Sequence, residues 1–315
     1  MQFISTPLHT FSFLSYLRSS FLHTMASKSS FQAFFKSEAY ASSFKRGEMV
    51  TSTFARMLVE QSNMITSSKS NPKQSLVILD NACGTGVVSS ILNEQLDSNS
   101  KAHWRLTCGD ISSEILKYTQ HRMEDENWQN AETQLVDAQS PELPSSFYDY
   151  IFTAFAYMAL PKSIKALDVR MLKPDGVIAF STWIEPGWIT VARRAIQQMP
   201  GHLPFPETTD LLKKLTDGEW HSVDWIKSQL QERGFEDIDI RVETAKITLE
   251  SSVFVDMSML MLPIMMRSFW TEEQREMYEP KVHAALVEYV EDVFGYGKDV
   301  ETEWVAIIST ARKAN

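Results

Sequence analysis

The chain has 315 residues and a formal net charge of −10, with 43 % of its residues hydrophobic. It is long enough to bury one large α/β core or two smaller ones. No uninterrupted apolar run reaches the roughly 18 to 20 residues of a membrane span, which predicts a soluble protein with no membrane partner. The acidic balance, without a basic run, argues against nucleic acid as a partner, since a phosphate backbone would find little to neutralise it. Two cysteines, Cys83 and Cys108, are too few for a disulfide scaffold. They read as buried free thiols in a reducing compartment such as the cytoplasm. The seven histidines are scattered without ligand spacing, so no metal is expected.

Residues 1–30 are rich in Ser, Phe and His and carry no acid. Met25-Ala26-Ser27 reads as a natural start, with the preceding residues an upstream extension or a disordered leader; a mitochondrial address is the alternative. Apolar residues at spacings of three to five, among them Tyr40, Phe44, Phe54 and Leu58, predict a helical cap over residues 31–70, ending in a linker at Thr66–Gln74. From residue 71 strands and helices alternate. Leu76–Leu79 is a short apolar strand, followed by Gly84, Gly86 and a helix over Val87–Leu96. Strands at Trp104–Cys108, Thr133–Val136, Tyr150–Ala156 and Val177–Thr182 are separated by helices at Ser112–Glu126 and Ser163–Met171. Before the last of these, Leu172–Gly176 forms a turn in which Gly176 is expected to take the left-handed conformation.

Helices follow near Ile189–Met199 and Val223–Arg233, then a long strand at Ile238–Leu249 and a final strand at Trp304–Thr310. Between those two strands, residues 251–295 read as a helical insertion rich in Met, placed to cover the ligand-binding edge as a lid. The expected fold is α/β and Rossmann-like: a doubly wound, mainly parallel sheet of seven strands with N-terminal helices and the lid.

The chemistry concentrates in Asp80-Asn81-Ala82-Cys83-Gly84-Thr85-Gly86, where a carboxylate ends the first strand and small residues fill the turn. Two glycines alone describe an ordinary turn. The carboxylate adds information, because it would repel a pyrophosphate at the helix N-terminus and attract an amine or a sulfonium. Ser89 stands where a dinucleotide fingerprint needs Gly or Ala, which disfavours a nicotinamide enzyme.

The segment Asp80–Gly86 resembles the first motif of class I S-adenosyl-L-methionine (SAM)-dependent methyltransferases, with Ala82 in place of its first glycine. Cys108–Leu116 resembles the second motif, Val136-Asp137-Ala138 the turn after strand three, Tyr148–Phe152 the entry to strand four, and Leu172–Gly176 the turn before strand five. The likeness is to the ubiquinone/menaquinone-biosynthesis-like group and its fungal secondary-metabolite members, including gliotoxin-type thiol methyltransferases. It implies SAM as cofactor and a small-molecule natural product as acceptor, methylated on S, O or N. It also implies cofactor contacts from Asp80, Ala82, Gly84 and Gly86, from Asp110 with Ile111 at the ribose, from Asp137 with Ala138 at the adenine, and from Tyr40. Three carboxylates at successive strand ends suit an amine, a diol and an exocyclic amine, which are all donors. Each acid has a plainer reading too: Asp110 as cap of the helix near Ser112, Asp149 as purely structural.

A dedicated base is not required, since placement and exclusion of water carry much of such a reaction and a thiol ionises readily. Tyr157, His202, Glu185 and His283 are the candidates for one. Trp183, Trp188 and Phe205, with Met257, Met259, Met261, Met265 and Met266, are candidates for the acceptor pocket, Trp183, Met261 and Met265 foremost; core packing is the competing reading. The rival functions are a mitochondrial quinone-type C-methyltransferase and a SAM-binding regulator without turnover. Cys83 and the ending Phe180-Ser181-Thr182-Trp183 depart from the quinone pattern.

Overall fold

A computed structural model describes residues 45–71 and 73–315. The leader, Tyr40 and Phe44 lie outside the described residues. Seven strands form one sheet: β1 (Leu76–Asn81), β2 (Trp104–Asp110), β3 (Ala131–Leu135), β4 (Tyr148–Ala154), β5 (Leu172–Glu185), β6 (Phe235–Leu249) and β7 (Val300–Lys313). Their order is β3-β2-β1-β4-β5-β7-β6. The first five run parallel, and β7 is antiparallel to both neighbours. The expected mainly parallel, doubly wound sheet is therefore present. The order in which strands are added reverses between β1 and β4, which run parallel, so a crevice opens at their carboxyl ends, the place where ligands bind such sheets.

Helices cover both faces. On one lie α1 (Glu48–Gln61), α3 (Val87–Gln95), α5 (Ser113–Asp125) and α7 (Gly187–Gln198), sharing a core with α10 (Ser251–Phe269) and α11 (Glu272–Phe294). The other carries α9 (Val223–Glu232), whose Ile226 and Leu230 pack with Tyr157, Phe180 and Trp220. Alternation along the strands explains the split, because Leu79 and Ile151 face one core while Ile78 and Phe152 face the other. Asp149 is structural: it accepts the Val77 amide at 2.8 Å and Lys173 Nζ at 2.7 Å, tying β4 to β1 and β5.

Several local expectations are corrected. The linker at Thr66–Gln74 begins as a helix, α2 (Met64–Ser70), since Met64 and Ile65 are buried. Its serines do not break it, because Ser68 and Ser70 return their hydroxyls to carbonyls four residues back. Ser163–Met171 forms only the short helix α6 (Ser163–Ala166) and a separate 3-10 turn, capped by Asp168 on the Arg170 amide at 2.9 Å. The stretch expected as the turn before the fifth strand, Leu172–Gly176, is part of β5, and within it the left-handed residue is Asp175, at φ 60°, and not Gly176. Gly176 is required for space: a Cβ there would lie 2.9 Å from the Lys173 carbonyl oxygen and 3.1 Å from that of Tyr148. Two short helices had no counterpart in the expectation, α4 (Ser98–His103) and α8 (Thr208–Leu215).

The insertion between β6 and β7 consists of α10 and α11 and starts at the carboxyl end of β6, over the crevice. By length and composition α10 is apolar enough to cross a membrane, although polar residues interrupt its apolar run in the sequence. In this fold it packs against α7 and α11 through Leu262, Met265 and Met266.

Candidate active site

At the carboxyl end of β1 the chain makes a tight turn with three residues at positive φ: Ala82 (54°), Gly84 (56°) and Gly86 (76°). The turn brings backbone rather than side chains to the crevice. A cavity of about 300 Å³ opens there, with Asp80, Ala82, Cys83 and Gly84 in its wall. Asp110 and Ile111 come from the end of β2, and Asp137, Ala138 and Gln139 from the segment after β3. Three carboxylates from three successive strand ends thus converge on one side.

Their environments differ. Asp80 is 1 % exposed, and its Oδ2 accepts Ser89 Oγ at 2.6 Å and the Ser89 amide at 3.2 Å. Burial pushes its pKa up to about 6, with the Asp110 carboxylate adding to the rise against these two bonds. Ser89, the residue that disfavoured a dinucleotide fingerprint, is therefore the partner of the first acid. Burial also raises the Asp110 carboxyl, opposed by backbone donors. One Asp110 oxygen accepts the Gly84 amide at 3.0 Å and the other the Ser112 amide at 2.9 Å, so this acid fixes the glycine turn relative to β2. The cap of α5 is Ser112, which accepts from Ile115 N; Asp110 lies two positions before it, in the cavity wall. Asp137 accepts the Gln139 amide at 2.9 Å.

Opposite the acids the wall is apolar. Phe155, Met158, Trp183, Trp188, Met257 and Met261 contribute, and Phe155 stacks on Trp183 with centroids 3.9 Å apart. Phe155 holds φ 54°, an uncommon conformation for a bulky residue, at the end of β4 beside the crevice. Among the described lining residues from Ala154 to Trp304, none is ionisable and Thr208 carries the only hydroxyl.

Other expected site residues fall elsewhere. Gly86 is absent from the wall: it exists for packing, since a Cβ would lie 3.0 Å from Thr119 and 3.1 Å from Trp128. Met265 and Met266 are fully buried in the core behind the wall, and Phe205 packs under Arg193 instead. Tyr157 is sealed against Phe180 and Trp220, and burial drives its pKa far upward, so it has neither the access nor the acidity of a base. His202 and His283 are exposed and away from the cavity. Sequence reasoning missed Phe155, Met158 and the α8 face Leu211, Leu212 and Leu215; for α8 the helical spacing of the three leucines was the available signal.

Comparison with known proteins fits this geometry. A family model described as a methyltransferase domain matches residues 78–176, from β1 into the start of β5. Acetylaranotin bis-thiomethyltransferase of Aspergillus terreus is 41 % identical over 89 % of this chain and 96 % of its own length. Methyltransferase tpcH of Aspergillus fumigatus is 35 % identical over 89 % of this chain and 98 % of its own length. Methyltransferase ktnA of Aspergillus niger is 35 % identical over 87 % and 95 %. The likeness reaches well beyond the motif-bearing strands into the variable half, and the chain belongs to the class I methyltransferases that use SAM as cofactor.

Proposed function

We propose that the enzyme methylates a thiol of an uncharged, largely apolar natural product, of the kind derived from an epidithiodiketopiperazine. The observation that carries this reading is the lack of a base in direct contact with the acceptor: the apolar wall offers no ionisable side chain among its described residues. A thiol, with a free pKa near about 8.5, releases its proton with little help, through a neutral hydroxyl if need be, whereas an alcohol needs a base in direct contact. The 41 % identity to a bis-thiomethyltransferase supports the same acceptor class. Free, buried Cys83 and Cys108 support a reducing compartment such as the cytoplasm, where an acceptor dithiol stays reduced.

The acidic wall suits the cofactor chemically. When bound, SAM supplies an electrophilic methyl group on a sulfonium centre. In this reading Asp80 takes the cationic end, Asp110 accepts from the ribose hydroxyls, and Asp137 accepts from the adenine amine, each with the acceptor oxygens that those donors need. Ala82 and Gly84 let backbone approach closely, while Ile111 and Ala138 give apolar contact. Phe155, Trp183 and Met261 would hold the acceptor by burial of its apolar surface. The test is incubation with methyl-labelled SAM and metabolite extracts of the source organism, followed by mass spectrometry. Label on a thioether sulfur is the expected product; label confined to oxygen, nitrogen or carbon contradicts the proposal.

A further inference from the structure

We propose that Thr208 and Glu185 form a proton-accepting pair for the acceptor: Thr208 Oγ1 takes the nucleophile's proton and passes its own to the Glu185 carboxylate. The inference rests on the thiol reading above and deepens it. Thr208 opens α8, is 5 % exposed, and lines the apolar wall beside Leu211 and Leu212. Its hydroxyl donates to Glu185 Oε2 at 2.5 Å, the short end of charge-assisted hydrogen bonds. Glu185, half-buried at the end of β5, is held from the other side by Thr190, which donates to Oε1 at 3.4 Å. A hydroxyl that gives its proton to a carboxylate presents only lone pairs to the cavity. Among the described lining residues from Ala154 to Trp304, Thr208 thus supplies the one side-chain oxygen, with a carboxylate directly behind it, while the other hydroxyl of the apolar wall, on Thr51, donates to the Glu48 carbonyl at 3.3 Å.

The step balances. As the acceptor sulfur bonds the methyl carbon, the carbon–sulfonium bond breaks and its electron pair stays on the cofactor's sulfur. The S–H proton moves to Thr208 Oγ1, and the Thr208 proton moves to Glu185, which ends neutral and returns the proton to solvent at the half-exposed edge. Of the charges nearby, Glu207 and Arg193 bond each other at 3.0 Å, and on β7 Glu303 lies two positions from Val305, the register partner of Glu185. Glu185 touches no substrate and acts through Thr208, so it is a positioning residue.

The experiment uses the full chain, SAM and N-acetylcysteine benzylamide, an uncharged aromatic thiol, with initial rates measured from pH 7 to 9.5 and probe affinity measured by calorimetry in S-adenosylhomocysteine. A cysteine-type thiol is only about 3 % ionised at pH 7 and mostly ionised by pH 9.5. Thr208→Val is therefore expected to lower turnover by about thirtyfold at pH 7 and to recover to within about twofold of wild type at pH 9.5. Probe affinity should stay within about threefold, as a single weak hydrogen bond allows. Thr208→Ser should restore the pH 7 rate, and Glu185→Gln should reproduce the valine profile; if the valine protein fails to fold, the glutamine variant carries the same expectation. Equal turnover of Thr208→Val and wild type at pH 7, or a deficit of the same size at both pH values, overturns the relay while leaving thiol methylation standing. A wild type that methylates the serine benzylamide and not the cysteine one overturns the thiol reading, and the S–H proton source falls with it.

Discussion

The two walls of the cavity are built in opposite ways. The acidic wall comes from three strand ends and their turns within about 60 positions, from Asp80 to Gln139, and each polar group is fixed by short-range bonds to Ser89, Gly84, Ser112 or Gln139. The apolar wall draws on residues from α1 to β7, including Val50, Phe155, Trp188, Leu212, Met261 and Trp304, and is held by packing. A site meant for one invariant ligand can be specified locally, whereas a site for a variable acceptor is assembled from distant surfaces that exchange side chains without disturbing the sheet.

Substitutions should separate the walls, beginning with the core behind the apolar one. Met265 is 0 % exposed, so Met265→Ala should destabilise the protein by about 2 to 5 kcal/mol, as measured by urea unfolding, while every side chain that faces the cavity stays in place. A loss below about 1 kcal/mol, with acceptor binding abolished, would return Met265 to the wall. Next in size is Asp110→Ala, expected to weaken SAM about ten- to a hundredfold, about 1.5 to 3 kcal/mol. Because both Asp110 oxygens accept backbone amides, Asp110→Asn sets an NH₂ group against Gly84 N or Ser112 N, and it should lower the apo melting temperature as well.

The smallest effect is one of pH. With its pKa near 6, Asp80 is ionised at pH 7 and mostly protonated at pH 5, so affinity for the cationic cofactor should fall about tenfold across that interval, and Asp80→Asn should flatten the dependence. Apo stability moves the other way. The folded pKa lies above the unfolded value of 3.8, so the stability present below pH 4 is lost as pH rises through 6. Asp80→Asn should therefore match wild type near pH 4 and gain on it toward pH 7 in thermal melts without ligand.

The same contrast explains what the sequence disclosed. Every strand was located, with ends displaced by up to five residues at β5, and the clearest signal came from buried parallel strands, which are apolar runs bounded by turn residues, as Leu76–Leu79 before Gly84 shows. Asp80 and Asp110 were legible because each stands at the buried end of its strand, whereas Asp137 follows the half-exposed β3 and was legible through Val136-Asp137-Ala138. Gly86 looked like a ligand contact but serves Thr119 and Trp128, a distinction that only three-dimensional proximity makes. Among the methionines of α10, sequence did not separate Met261, in the wall, from Met265, in the core; four positions apart, their difference depends on how α7 and α11 press on the helix. Thr208 was hidden because α8 lies between stretches of Pro and Gly, and its partner Glu185 is 23 residues away.

Calorimetric titration of SAM and of N-acetylcysteine benzylamide into Asp110→Ala and Met261→Gln tests the division of the cavity most directly. Asp110→Ala should lose SAM affinity by about tenfold or more and keep the thiol within about threefold, and Met261→Gln should show the reverse order. Equal losses of both ligands in both variants, with both apo proteins still folded at the titration temperature, would contradict an acidic wall for the cofactor and an apolar wall for the acceptor.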